Sequence, residues 1–355
     1  RLARITDADA REVESARRVL AQAQTAINPT RALFDVLTAA RMDAELAAKL
    51  RTGGMSGEGE TDRLSRWHDK PGRVLSSPEL ARAREVMADL PPFHFPIAFP
   101  EVFLRDSGGG FDCILGNPPW EEATVEEDRF WTRHAPGLHG LSEREKTRRV
   151  AEMREQRPDL VAAYQIEVRT AECLRNSLVS GPFPGMGTGD PDLYKAFCWR
   201  FWQLVHASGH FGVVLPRSVF QSRGSAEFRV TLFESGALED LTFLTNRDHW
   251  VFDDAEARYT ICLVAACRAH SEERLLPVRG PFVTLERFLA GTEQAPVTFS
   301  VADALTWTDS AALPLLPSEG ALASFAQLRK SPRLDTSDGD QWRARPYREL
   351  DATND

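Results

Sequence analysis

The sequence predicts an α/β fold with a mixed, mainly parallel sheet, flanking helices and additional helical insertions. The apolar run from Phe111 to Leu115 is typical of a buried strand. Farther along, a predicted helix ends at Ser208-Gly209, and a short apolar strand follows at 211–216. Two more strand-like segments cover 238–245 and 258–267. Strands that alternate with helices in this way are typical of a mainly parallel sheet.

Composition limits the classes of function that fit. The chain has 355 residues, of which 42% are hydrophobic, and this is enough for a sizeable core. No run of eighteen apolar residues and no secretory signal are visible, so we expect a cytoplasmic protein without a membrane span. The net charge of −9 argues against this chain providing the main DNA-binding surface, because DNA is itself negatively charged. The five cysteines lack metal-type spacing and the eight histidines are scattered, which predicts mostly buried free thiols and no metal site.

Residues 1–90 are predicted to be helical and to form an insertion or a lid. Their caps and their apolar spacing carry this prediction. The expected helices begin at Thr6 or Asp7, at Thr30 (with Leu33, Leu37, Ala40 and Leu46 near one face) and at Ser77-Pro78-Glu79.

Three other stretches each have two interpretations. Aromatic and proline residues crowd together at 91–103, as either a packed approach to the sheet or one wall of a cofactor pocket. Helices at 143–156 and 159–178, the first opened by a Ser142–Glu145 capping box, either cover a site or face water. The glycine-rich segment 185–189 is better interpreted as a loop than as a nucleotide-binding turn, because no predicted strand precedes it.

The segment Asn117-Pro118-Pro119-Trp120 follows the first predicted strand directly, where open α/β sheets bind their ligands. Two successive prolines fix two φ angles and remove two N–H donors. What remains is a stiff edge of acceptors, namely the Asn117 side-chain oxygen and the Pro118 carbonyl oxygen. A planar amine that donates both hydrogens to this edge keeps a more available lone pair, and Trp120 offers a flat surface for stacking. We therefore predict an amino-bearing ring such as adenine, flipped out of its duplex.

This segment resembles motif IV of the amino-group DNA methyltransferases, whose pattern is Asn/Asp/Ser-Pro-Pro-Tyr/Phe/Trp. The approach to it, Phe99-Pro100-Glu101-Val102-Phe103 and later Gly110-Phe111-Asp112, is similar to the large adenine-N6 enzymes of type IIG restriction–modification and BREX-like phage defence. The run Asp192-Leu193-Tyr194-x-x-Phe197 and the following helix and strand resemble motifs V and VI. The segment from His249 to Ala255 resembles motif VIII.

The resemblance implies a Rossmann-like methyltransferase fold. It also implies transfer of a methyl group from S-adenosylmethionine to adenine N6 in double-stranded DNA, as part of restriction–modification or phage defence. Asn117 and Pro118, in a turn stiffened by Pro119, would orient and polarise the flipped amine, and Asn117 would also lie against the cofactor. Such a reaction depends on positioning and electrostatics, so neither a metal nor a covalent nucleophile is implied.

The resemblance also assigns roles to three aromatic residues. Trp120 and Phe252 would stack on opposite faces of the flipped base, with Trp250 as a rival to Phe252. Phe197 would stack on the adenine of S-adenosylmethionine. An ordinary core position is the alternative for each of these rings.

The resemblance covers Phe93 to Arg268, about half of the chain. The family's Gly-rich cofactor turn is not found before Asn117, so the chain resembles a fragment that lacks most of the cofactor half and most of the target-recognition domain. Whether the chain is active alone is therefore left open. The expected organisation is a helical lid at 1–90, the catalytic half at 91–270, and a connecting region with the start of a recognition domain at 271–355.

Two other functions stay open. Protein-glutamine and RNA methyltransferases also use Asn-Pro-Pro-aromatic, because an amide nitrogen poses the same lone-pair problem. A non-catalytic subunit that binds DNA or a partner in a defence complex would need no cofactor motif. Besides DNA, the expected partners are accordingly other restriction or defence subunits.

Overall fold

The computed structural model describes residues 10–52, 60–189, 191–269, 274–316 and 319–331. The protein is a mixed α/β structure, and its six strands form one mixed sheet with the order β1-β2-β4-β3-β5-β6. The strands are β1 (Phe111–Gly116), β2 (Val205–Pro216), β3 (Ala237–Thr245), β4 (Thr260–Cys267), β5 (Leu275–Phe282) and β6 (Val297–Ser300).

Four of the six strands run in the same direction. β4 is antiparallel to both β2 and β3, which therefore point the same way, while β5 is parallel to β3 and β6 is antiparallel to β5. A methyl group added at Gly110 would lie 2.5 Å from the His206 nitrogen, and one added at Gly212 would lie 2.7 Å from the Leu115 side chain. These two approaches place β1 beside β2 with parallel direction. The mixed α/β class and the two strands predicted at 238–245 and 258–267 are confirmed.

The chain divides into two compact units, Arg1–Ile114 with Pro118–Gly209 and Leu115–Asn117 with His210–Asp355. The division passes through β1 and β2, and it does not coincide with the boundaries expected at residues 90 and 270.

β5 and β6 lie beyond residue 270 in the same sheet as β3. The sequence hides β5 because it contains two prolines, which usually argue against an inner strand. Pro277 precedes the first residue pair with β3, although it is paired with Thr298 of β6, and Pro281 lies at a register irregularity of the β3–β5 ladder.

Helices dominate the first unit. Ala32, Val36 and Ala39 recur at helical spacing and are buried in a cluster that also includes Trp67 and Leu80. A second buried cluster forms around Phe130 and Trp131. The helices are α1 (Ala10–Met42), α2 (Ala44–Thr52), α3 (Glu60–Asp69), α4 (Pro78–Val86), α5 (Phe95–Ala98), α6 (Pro100–Phe103), α7 (Glu127–His134), α8 (Glu143–Gln156), α9 (Pro158–Ser180) and α10 (Leu193–Leu204).

The break predicted at Thr30 is wrong, because α1 continues through Pro29 without interruption. A proline inside a helix costs about 3 kcal/mol, and the buried face described above offsets this cost. The break occurs instead at Asp43, whose side chain accepts a hydrogen bond from Leu46 N at 2.9 Å and caps α2. Leu37, predicted near the apolar face, is exposed. Thr6 and Asp7 lie outside the described residues.

Local capping signals were more reliable. Ser77 caps α4 by accepting from Leu80 N at 3.2 Å, as predicted. The Ser142–Glu145 capping box opens α8, as predicted. The helix predicted to reach His206 ends earlier, because the backbone is already extended at Val205, where β2 begins.

The second unit buries the sheet against helices. Leu215, Leu241 and Val264 are buried strand residues, and Phe228 and Leu232 are buried on the helix after β2. Among the described helices, none combines the length and the apolar composition that a membrane crossing requires. The predicted cap at Ser318 lies outside the described residues. The helices of this unit are α11 (Ser218–Gln221), α12 (Ala226–Ser235), α13 (Leu285–Thr292), α14 (Val301–Trp307) and α15 (Glu319–Leu328).

Candidate functional site

β1 leads into the predicted site, and it is not the buried strand that the sequence indicated. Leu115 is 80% exposed, and Cys113 is also exposed. Exposed residues occur on both faces of β1, so neither face is fully covered, and β1 also lies at one end of the strand order among the described residues. An apolar run predicts a strand, but it does not tell how many of its faces are covered.

The turn after β1 presents Asn117 to solvent and buries the residue that follows. Asn117 and Pro119 are exposed, Pro118 is buried, and Trp120 is half-buried. No hydrogen bond joins the Asn117 side chain to another described residue. Its amide oxygen is therefore available as an acceptor for a ligand, on a turn that the buried proline anchors.

In the first unit, the chain beyond Trp120 lies beside the start of α10. Leu193 N donates to Glu121 O at 3.0 Å, and Glu122 forms an isolated antiparallel bridge with Asp192. The fold therefore joins the exit of the Asn-Pro-Pro-Trp segment to the Asp192–Phe197 segment, although about seventy residues separate them in the chain. The sequence reasoning had grouped the two segments only by resemblance.

A buried ion pair fixes this end of α10. Lys195 Nζ lies 2.7 Å from Asp192 Oδ2, and the Lys195 side chain is 7% exposed. The same nitrogen lies 5.9 Å from the Tyr194 ring centroid. Buried charges persist in proteins when they are paired in this way. Phe197, one turn farther, is half-buried and packs against Phe201 at 5.7 Å, so part of its ring is open to a ligand.

The second unit holds the loop that contains Phe252. Asn246, directly after β3, is 0% exposed. Its Nδ2 donates to Phe252 O and Ala255 O, both at 2.9 Å. Its Oδ1 accepts from Val251 N at 3.2 Å and Phe252 N at 3.0 Å. One buried amide therefore fixes the backbone of Phe252 on both sides.

Trp250, the rival stacking residue, is held by other contacts. Its Nε1 donates to Thr245 O at 2.8 Å, and its ring lies 6.3 Å from that of Phe288. Both Trp250 and Phe252 are half-buried, so the choice between them as the stacking residue stays a prediction. Trp120 belongs to the first unit and Phe252 to the second.

The aromatic stretch at 91–103 packs onto the first residue of β1. The rings of Phe95, Phe99 and Phe103 lie 6.2, 5.4 and 5.4 Å from the ring of Phe111. This is the packed approach to the sheet that the sequence favoured. A role as a cofactor wall stays a prediction.

A cleft elsewhere in the first unit contains none of the predicted site residues. It has a volume of about 480 Å³ and is lined by Arg129, Arg133, His139 and Lys146 together with Glu126 and Asp128. These are mixed surface charges, several of them on α7 and α8, without the rigid acceptors found at Asn117.

Two of the buried thiols are unsuited to nucleophilic chemistry. Cys198 and Cys262 are buried, and burial raises the pKa of both thiols above the ordinary value. Both therefore stay protonated at neutral pH, whereas a reactive cysteine is a thiolate. The prediction of mostly buried free thiols is confirmed for Cys198, Cys262 and Cys267, whereas Cys113 is exposed and Cys173 is intermediate.

Sequence reasoning missed Asn246. The only signal was a polar residue between a strand and an eight-residue segment rich in aspartate and aromatic residues, and such a residue is usually exposed. In comparisons with known proteins, no family model matches this chain, and no curated protein matches it either. The function is therefore inferred from the residues and their geometry.

Proposed function

We propose that this chain carries the amine-binding part of an S-adenosylmethionine-dependent methyltransferase that acts on adenine N6 in DNA. The observation that carries the proposal is the solvent-facing Asn117 amide at the carboxyl end of β1, on a turn anchored by the buried Pro118. Rigid acceptors at a strand end are what a planar amine requires.

In the proposed reaction, Asn117 Oδ1 and the Pro118 carbonyl oxygen accept the two hydrogens of the adenine amine. This draws the nitrogen lone pair out of the ring and directs it to the electrophile. S-adenosylmethionine supplies an activated methyl group when bound. A nitrogen–carbon bond forms as the sulfur–carbon bond breaks, and one amine proton leaves to solvent from its hydrogen bond to the protein.

Three features of the fold support this proposal. β4 runs antiparallel between β2 and β3, which suits the sheet of a methyltransferase fold. The half-buried Phe197 leaves part of its ring for the adenine of the cofactor. Asn246 holds Phe252 in a fixed loop, and a rigid aromatic residue is what a flipped base would stack on.

The direct test is Asn117→Ala in the protein expressed from its complete reading frame. We expect the rate of methyl transfer to adenine to fall by about 100-fold or more, because one preorganised hydrogen-bond acceptor is lost at the reacting nitrogen. The measurement is incorporation of radiolabelled methyl groups from S-adenosylmethionine into duplex DNA.

The matched control is Asn28→Ala, which removes an exposed asparagine from α1. It should leave the rate unchanged. Methylation at the wild-type rate by Asn117→Ala would refute the assigned role. Label that enters protein or RNA in preference to DNA would instead favour the glutamine or RNA methyltransferase alternatives.

A second candidate function, a non-catalytic partner-binding subunit, is favoured by the edge position of β1. An uncovered strand with an exposed Leu115 is a template for pairing with another polypeptide. Calorimetry with S-adenosylmethionine, on the protein expressed from its complete reading frame, separates the two candidates. Binding of the cofactor by the protein supports the enzyme, and absence of binding supports the subunit.

A further inference from the structure

Three side chains from neighbouring strands of the second unit meet at one point. They are His210 of β2, Glu239 of β3 and Cys267 of β4, and one nitrogen, one oxygen and one sulfur atom from them all lie within 4.8 Å of one another. Nearly thirty residues separate each member from the next in the chain, so no spacing motif announces them. The sequence analysis predicted no metal site for that reason.

The strand register explains why they meet. His210 is paired with Cys267 across the β2–β4 ladder, and Ala237 is paired with Cys267 across the β3–β4 ladder. The β3–β4 register shifts between Leu238 and Asp240, which leaves Glu239 as an extra residue. A bulge of this kind re-aims a side chain, and bulges are enriched beside functional sites.

The separation of the nitrogen and oxygen atoms suits tetrahedral coordination. His210 Nε2 lies 3.1 Å from Glu239 Oε1. In a tetrahedral zinc site, nitrogen and oxygen ligands are about 3.3 Å apart, given metal–ligand distances near 2.0–2.1 Å. Cys267 is 7% exposed, and its sulfur accepts a hydrogen bond from Ala269 N at 3.3 Å. A cysteine sulfur held in this position offers a ligand type that zinc prefers.

A simple ion pair does not account for the arrangement. The side chains of His210 and Glu239 are 52% and 44% exposed, and an ion pair at that exposure contributes only about 0–1 kcal/mol. It also gives no reason for a buried thiol at the same point. A divalent cation does, because it offsets the charges of both the carboxylate and the thiolate.

We propose that His210, Glu239 and Cys267 form a binding site for a divalent cation of the zinc class. Imidazole, carboxylate and thiolate together match the preferences of Zn²⁺. Binding would replace the thiol proton, which goes to solvent, and a fourth coordination position would be left for water on the exposed side. The bound cation would link β2, β3 and β4 near Cys267, the last residue of β4. Asn246 lies near the other end of β4, and the site is independent of the proposed methyl transfer.

Titration of the 355-residue chain with Co²⁺ under reducing conditions tests the proposal. We expect one Co²⁺ per chain, visible absorption typical of tetrahedral cobalt, a near-ultraviolet sulfur-to-cobalt band, and displacement by Zn²⁺. Cys267→Ser should abolish the sulfur band. His210→Ala and Glu239→Gln should each weaken binding by about 100-fold or more, since loss of a group that merely supports a ligand costs about 10–100-fold.

The matched controls are Cys113→Ser, His68→Ala and Glu234→Gln, which remove exposed residues of the same types. These variants should bind Co²⁺ as the wild type does. The proposal would be overturned if the sulfur-to-cobalt band persisted in Cys267→Ser or disappeared in Cys113→Ser. It would also be overturned if the wild-type protein did not bind Co²⁺. Circular dichroism shows whether each variant folds. If Cys267→Ser does not fold, the Co²⁺ affinities of His210→Ala and Glu239→Gln test the proposal instead.

Discussion

The buried side-chain amide of Asn246 holds the conformation of the loop that follows β3. An asparagine side chain has two donor hydrogens and an oxygen with two acceptor positions, and here all four are used inside the loop that follows β3. Such a fully satisfied polar group rigidifies its surroundings, whereas a partly satisfied one would be costly. The loop that carries Phe252 therefore depends on one residue.

We predict that Asn246→Ala lowers the free energy of unfolding by on the order of 3 kcal/mol, because backbone groups of the loop lose their buried partners. Urea unfolding measures this change. Hydrogen exchange at Val251 and Phe252 should also accelerate, since both amides donate to Asn246.

Gln221→Ala is the control for that substitution, because Gln221 is an exposed amide residue of the same unit. It should change the free energy of unfolding by less than about 0.5 kcal/mol. Equal effects of the two substitutions would show that the Asn246 hydrogen bonds do not stabilise the loop.

Residues differ in how far sequence could identify them. Asn117 and Pro118 belong to a contiguous pattern whose chemistry can be stated without a fold. Asn246, Glu239 and Cys267 acquire their surroundings only when distant strands pair, and each has an ordinary local context. Their roles come from register and from a bulge, which a single sequence does not reveal.

At the scale of elements, the contact between β1 and β2 depends on glycine. Gly110 has φ +135°, and a methyl group added there would lie 2.5 Å from the His206 nitrogen and 2.8 Å from the Val205 carbonyl carbon. Few L-residues adopt this backbone conformation, and no side chain fits that space. Gly110, directly before β1, therefore sets how closely the two strands approach.

Gly110→Ala should therefore lower the free energy of unfolding by about 2–4 kcal/mol, from backbone strain together with steric overlap. Thermal or urea unfolding followed by circular dichroism measures it. Gly187→Ala is the comparison, because nothing lies within 4 Å of a methyl group at that position. A similar loss in both variants would contradict the packing argument.

Elements were predicted well where their signals are local. The caps at Ser77 and Ser142 act within one turn of helix, so sequence alone places the starts of α4 and α8. The continuity of α1 and the existence of β5 were missed for the opposite reason. Each element contains proline, and only distant contacts, the buried face of α1 and the neighbours of β5, show that the proline is tolerated.

At the scale of the whole molecule, an acidic protein of net charge −9 has an apolar strand that, within the described residues, pairs with another strand on one side only. Native edge strands usually carry charged residues, prolines or bulges that prevent pairing. β1 has only Asp112 in this role, and Leu115 is exposed beside Gly212. The sequence predicted the strand but not its exposure, because exposure depends on which other strands are present.

We predict that the chain self-associates through β1 at high concentration and that Leu115→Lys reduces this association by adding a charge to the edge. Sedimentation velocity over a concentration series measures it. Leu285→Lys, a change at another exposed leucine, should have little effect. Equal effects of the two substitutions would mean that general hydrophobicity, and not β1, drives association.

The exposure of Cys113 has a practical consequence. Its thiol lies on the strand that leads to Asn117, whereas Cys198 and Cys262 are shielded inside the fold. A maleimide fluorophore attached at this position would therefore label the protein selectively over those two residues. Its emission would report when a nucleic acid or another polypeptide arrives at that strand, without any need to observe turnover.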